Sequence, residues 1–224
     1  MGELEQGVAI TRPSTGRKRR QRFSRVAGAA ATIDGFGHDV DITFALTMGQ
    51  FSLLDLIEAT LGITGPADVV IATWSVGFYD LDAARRFADD GRLRSVRFIV
   101  DSSDKRGQAT GNDIASVFGA DSMRATRTHA KFVAVTNDDW NVVIQSSMNL
   151  NLNMRSEQFS MVDCAATAGF ILELADELWS ELPPGAANDR TVPRLRNVTE
   201  VQPEFGFEVA PSSGISVGPS RAAG

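Results

Sequence analysis

The hydrophobic positions of this chain change period several times, and each change marks a new element. Val40, Ile42 and Phe44 alternate with Asp41 and Thr43, which predicts a strand within residues 33–47 with Asp39 or Asp41 near its start. Phe51, Leu53, Leu54, Ile57 and Leu61 then recur at helical spacing behind Ser52, a candidate N-cap, and Gly62 with Gly65-Pro66 closes that helix. Residues 67–75 are apolar almost throughout, the pattern of a strand buried on both faces. Leu81, Ala84, Arg85, Phe87 and Ala88 predict an amphipathic helix stopped at Asp90-Gly91, and residues 95–101 a second strand. Strand, helix and strand with short connections predict parallel pairing through a right-handed crossover. A polar loop over 102–111 and a short helix at 114–118 follow.

The second half reads as a strand from His129 to Val135, a polar turn at Thr136-Asn137-Asp138-Asp139, and a second strand from Trp140 to Ile144. Another strand over 158–164 and an amphipathic helix over 170–182 complete it, ended by Pro183-Pro184-Gly185. Residues 1–28 lack periodicity, and 183–224 are rich in Pro, Gly, Ser and Ala, so both tails are expected to be disordered. The expected organisation is a basic arm over 1–28, an α/β domain over 29–182 and a tail over 183–224.

Composition narrows this only a little. The chain has 43% hydrophobic residues, enough for a good core, and no apolar run of membrane-spanning length. Met1-Gly-Glu-Leu-Glu has no basic segment leading into an apolar one, so no secretory signal is visible. The lone Cys164 excludes an internal disulfide and fits a reducing, cytoplasmic setting; no Cys/His cluster has zinc-ligand spacing, and no cofactor is expected. Charge changes the picture more. Arg12, Arg17, Lys18, Arg19, Arg20, Arg22 and Arg25 concentrate positive charge in a chain whose net charge is −6. Such an arm suits the phosphates of nucleic acid or an anionic lipid surface, which makes Arg17, Lys18, Arg19, Arg20 and Arg22 candidate substrate-binding residues; the alternative is a solvated tail.

The residues with chemistry to offer cluster between 129 and 157. His129 and Lys131, two apart on a β-type run, point to one face. The hairpin after them returns Ser146-Ser147-Met148-Asn149 beside them, and Glu157 follows eight residues later. An imidazole, an ammonium, a hydroxyl and an amide at strand ends suit phosphate. His129-Ala130-Lys131, Ser147-Met148-Asn149 and Glu157 resemble the H-x-K, G-S-x-N and acidic elements of the phospholipase D superfamily, and the resemblance covers roughly residues 51–182. It implies a mixed sheet flanked by helices. The sequence departs from the family pattern twice. Thr136 stands where the motif's Asp is usual, with Asp139 the best replacement and Asp138 the next. Ser146 stands where a Gly is usual.

The resemblance implies a metal-independent phosphodiesterase in which His129 attacks phosphorus, Lys131, Ser147 and Asn149 neutralise the phosphate oxygens, and Glu157 orients the imidazole. A second histidine must protonate the leaving oxygen. The family takes it from a second motif copy, which this chain lacks, and His38 has no Lys two residues on. A two-fold homodimer pairing two copies of His129 is therefore expected. A nuclease, with DNA favoured over RNA, is the first expectation. A phospholipase or phosphatidyl transferase is the alternative enzyme, and a nucleic-acid-binding or assembly protein with a weakened site the alternative outside enzymes. Stable membrane insertion is not expected.

Overall fold

The structure, a computed structural model, describes residues 16–24, 28–74, 84–86, 88–101, 105–150 and 154–185. One eight-stranded sheet runs through it: β1 (Lys18–Phe23), β2 (Val40–Thr47), β3 (Ala67–Thr73), β4 (Leu93–Asp101), β5 (Met123–Thr126), β6 (Phe132–Thr136), β7 (Asn141–Ser146) and β8 (Glu157–Asp163). The spatial order is β1-β2-β8-β7-β6-β3-β4-β5. The central strands β2, β8, β7, β6 and β3 pair antiparallel, whereas β1 with β2, β3 with β4, and β4 with β5 pair parallel. Helices α1 (Ala29–Thr32), α2 (Leu53–Thr64), α3 (Lys105–Phe118) and α4 (Ala165–Glu181) flank the sheet. The fold is thus α/β with a mixed, helix-flanked sheet. Among the described residues no helix is long and apolar enough to cross a membrane.

Alternation along the strands explains both cores. Val69 and Ile71 of β3, Val133 and Val135 of β6, and Val142 and Ile144 of β7 face the α2 side, packing with Leu53, Leu56, Ile57, Phe98 and Phe159. Val70, Ala72, Ala134 and Val143 face the other way and meet Ala168, Ile171, Ala175 and Leu178 of α4, which recur every three or four residues. The uninterrupted apolar run of β3 follows from covering on both faces. Helix α2 begins at Ser52 with a reciprocal cap: Ser52 Oγ accepts from Asp55 N and the Asp55 carboxylate accepts from Ser52 N. Its far end turns at Gly65, where φ is 72°, a value that favours glycine.

Two expectations are corrected here. The basic run is a strand, not a disordered arm: β1 pairs in register with β2 from Lys18↔Val40 to Phe23↔Leu46. Three of its cations have partners in the fold. Arg17 pairs with the buried Asp41 at 3.1 Å and donates to the Asp163 carbonyl. Arg22 donates to the Asp34 carbonyl at 2.9 Å, and the Arg20 guanidinium lies against Gly35, whose φ of 71° and missing Cβ admit it. Periodicity could not show this, because the pairing partners lie some twenty residues away. The polar loop expected over 102–111 is in its described part the start of a 14-residue helix, α3. Ile114, Val117 and Phe118 near its end pack on the core, while Asn112, Asp113 and Ser116 face water. Residues 1–15, including Arg12, the position Arg25, the helix position Leu81, Asn151 and Asn153, and the tail from 186 onward lie outside the described residues.

Candidate active site

The candidate residues meet where β3, β4 and β7 end and β6 and β8 begin. The register fixes this: Ala72 opposes Phe132, Phe132 opposes Gln145, and Ser146 opposes Phe159. His129 and Lys131 precede β6, although a strand through both was expected. The ladder reaches Lys131 through its carbonyl, which accepts from Ser146 N at 3.1 Å. On the other side of His129, Thr128 N donates to Asp101 Oδ1 at 3.1 Å and Ala130 N to Thr128 Oγ1 at 3.1 Å. Asp101 is a buried carboxylate at the end of β4, so it ties the His129 segment to the sheet.

The Lys131 ammonium donates to the His129 carbonyl at 3.1 Å and lies 3.4 Å from His129 Nδ1. Burial pushes the Lys131 pKa down, and the nearby Glu157 carboxylate opposes that shift. Ser147 Oγ donates to Glu157 Oε2 and accepts from Gln158 N at 3.0 Å. A hydroxyl has one proton, so while this bond holds Ser147 has none to offer a phosphate oxygen. The same bond places Glu157 on Ser147, where the resemblance had implied the imidazole. Asn149 is half-buried, and its Oδ1 is buried without a hydrogen-bond partner. A buried amide oxygen left this way is costly unless it meets a donor, which a phosphodiester does not provide. The Trp74 ring lies 5.6 Å from the imidazole, tilted by 48°. His129 itself is exposed.

Ser146, the residue in place of the usual glycine, has a local task. Its hydroxyl donates to the Gln158 carbonyl at 3.1 Å and accepts from Met148 N at 2.9 Å, closing the end of the hairpin. Three groups of candidates are not brought to the cluster. Asp139 and Asp138 sit in the turn at the opposite end of β6, roughly 15 Å away at about 3.3 Å per strand residue. There Asn137 Oδ1 accepts from Asp139 N, so the aspartate is a turn former. Arg17 and Lys18 lie at the far end of the sheet too, because Arg17 bonds to Asp163, the last residue of the strand that Glu157 begins. Arg19 and Arg20 follow them along β1; Arg22, opposite Ala45 and so in the row of Phe159 and Ser146, lies toward the site end but three strands away from Ser146, and donates to the Asp34 carbonyl. His38 is at that far end as well, 2.7 Å from Asp163 Oδ2 and stacked on Trp140.

Nothing local in the sequence marks Trp74, Asp101 or Thr128 as site residues: Trp74 ends an apolar run, and Asp101 meets Thr128, a residue 27 positions on. Among the described residues no group of three or more His, Cys, Asp or Glu side chains is placed to hold a metal ion. The structure brings together an imidazole and an ammonium at His129 and Lys131, with the Ser147–Glu157 pair near the ammonium.

Several solved structures match this chain over part of its length, among them three. A phospholipase D family member, Nuc from Salmonella typhimurium, matches with a TM-score of 0.45 and 16% identity, over 64% of this chain and 97% of that one. NucT from Helicobacter pylori matches with a TM-score of 0.41 and 13% identity, over 63% and 98%. Polyphosphate kinase from Porphyromonas gingivalis matches with a TM-score of 0.44 and 12% identity, over 64% of this chain and 26% of the kinase. No family model and no curated protein matches the sequence.

Proposed function

We propose that this chain is a phosphodiesterase, most readily a nuclease, which works without a metal through a phosphohistidine. The observation that supports it is the meeting of His129, Lys131 and the Ser147–Glu157 pair at one end of the sheet. A phosphodiester repels nucleophiles, so its oxygens must be neutralised first. Lys131 and the Asn149 amide are the donors for that. A phosphate that draws Lys131 Nζ away from Nδ1 leaves Nδ1 to hold the imidazole proton and Nε2 to present its lone pair. Nε2 then bonds to phosphorus while the ester P–O bond breaks, and the departing oxygen takes a proton from a second imidazole. That imidazole next removes a proton from water, whose oxygen bonds to phosphorus as the P–N bond breaks.

The second imidazole comes from another copy of the chain. His38 is the only other histidine and lies a full strand away from Glu157, roughly 20 Å at about 3.3 Å per residue. A two-fold dimer that juxtaposes both copies of His129 supplies what one subunit lacks. Nucleic acid, DNA before RNA, is the favoured substrate. Purified protein is expected to cleave plasmid DNA or bis(p-nitrophenyl) phosphate in EDTA, and His129→Ala to abolish this. Cleavage that needs magnesium, or that survives the substitution, sinks the reading.

A further inference from the structure

Among the described residues the sheet ends at β1. Lys18 N and Ser24 N donate toward β2, to the Asp39 and Leu46 carbonyls, so alternation turns the backbone N–H and C=O groups of Arg19 and Gln21 outward. Such an edge is a template for another strand, and its side chains say which strand it suits. Lys18, Arg20 and Arg22 oppose Val40, Ile42 and Ala45, so they share the α2 face. Among the described residues no carboxylate pairs with any of the three; Arg22 donates to a carbonyl and Arg20 lies against Gly35. On the α4 face, Gln21 and Phe23 oppose Phe44 and Leu46. The apolar cluster under α4 draws on β3, β4, β6, β7 and Val162 of β8, but on neither β2 nor β1. Phe44 is accordingly 46% exposed and Phe23 54%. A strand that is acidic on one face and apolar on the other would match this edge.

The chain contains one, among the residues beyond 185. Glu204-Phe205-Gly206-Phe207-Glu208-Val209 alternates, with Phe205, Phe207 and Val209 on one face and both acids on the other. Pro203 and Pro211 bound it, and neither can donate to a ladder. We propose that residues 204–209 add to the outer edge of β1 as a ninth strand of the same chain. Glu204 and Glu208 are spaced as Lys18 and Arg22 are, so one register gives both carboxylates a cation and sets Gly206 opposite Arg20. In either strand direction that register sets Phe205 and Phe207 opposite Arg19 and Gln21, on the face where Phe44 is exposed. Length permits it. Gly185 is bridged to Arg124 of β5 at the opposite edge, about 34 Å from β1 at about 4.8 Å per strand. Residues 185–204 can span about 60 Å when extended. A second β1 would bring like charges to this edge, whereas this segment brings opposite ones. The pairing does not depend on the phosphodiesterase reading.

The test is amide hydrogen exchange, read by NMR on the full chain. The Arg19 and Gln21 amides are expected to be protected, although they face away from β2. Phe205→Ser with Phe207→Ser, and separately Glu204→Lys with Glu208→Lys, should each speed their exchange about tenfold. The Lys18 and Ser24 amides, bonded toward β2, should keep their rates and so report that the fold is intact. Unprotected Arg19 and Gln21 amides in the wild type, or protection that neither double variant lowers, overturn the proposal. A nitroxide on Ala210→Cys, in a Cys164→Ser chain, should broaden the Arg19 and Gln21 signals of the chain that bears it. Broadening seen only when an isotope-labelled chain is mixed with an unlabelled nitroxide-bearing one assigns the strand to a second copy and overturns pairing within one chain.

Discussion

Lys131 is the residue on which the electrostatics of this site turn. Its ammonium is partly desolvated, which lowers its pKa, and Glu157 raises that pKa again while accepting the Ser147 proton. If Lys131 acts as a cation on the phosphate, activity requires its protonated form. The depressed pKa then brings the alkaline loss of kcat/KM to a lower pH than an ordinary lysine would give. Glu157→Gln removes the opposing charge, so the alkaline limb should move lower still, while the amide can still accept from Ser147 Oγ. A pH profile of kcat/KM for both proteins reads the sign directly. A limb that moves upward in Glu157→Gln contradicts this account of Lys131. The Ser147 bond has a second consequence. It separates Ser147, whose proton is held by a carboxylate, from Lys131, whose ammonium lies beside His129.

The elements explain why some of this was legible in the sequence and some was not. Ser52 announced α2 because a cap acts within three residues, and the structure shows both halves of its capping box. Ser52→Ala is expected to lower stability by about 1 kcal/mol, read from a denaturant melt, and to leave phosphodiester cleavage unchanged. A loss of activity without a loss of stability would show that α2 does more than pack. The β6–β7 hairpin was likewise readable from its apolar runs and polar turn, which fixed Lys131 and Ser146 at one end. What stayed hidden depends on partners distant in sequence. The basic run is a strand only because β2 offers its edge, with Asp41 waiting for Arg17. Asp101 gains its meaning from Thr128, and Trp74 from His129. The turn at residues 137–140 shows the opposite case. Its aspartates matched a motif by spacing, yet the hairpin that places Lys131 at one end necessarily puts them at the other.

At the scale of the whole molecule, the proposed reaction calls for a second proton carrier. One subunit supplies one exposed imidazole at the site, and its other imidazole is committed to Asp163 and Trp140 at the far end of the sheet. The edges of the sheet limit how two copies can meet. At one edge β1 carries Lys18, Arg19, Arg20 and Arg22, and like charges discourage edge-to-edge pairing with a second β1. At the other, Arg124 of β5 bridges to Gly185, so that edge is partly occupied within the chain. Association through the strand ends that hold His129 avoids both. Its test is subunit mixing, with wild-type and His129→Ala chains co-refolded in varied proportions. If each catalytic centre needs a His129 from both subunits, mixed dimers are inactive and activity follows the square of the wild-type fraction. If each subunit works alone, activity follows that fraction linearly. A linear dependence, with light scattering showing a dimer, would assign the second proton transfer to a group within one chain and remove the reason for a composite site.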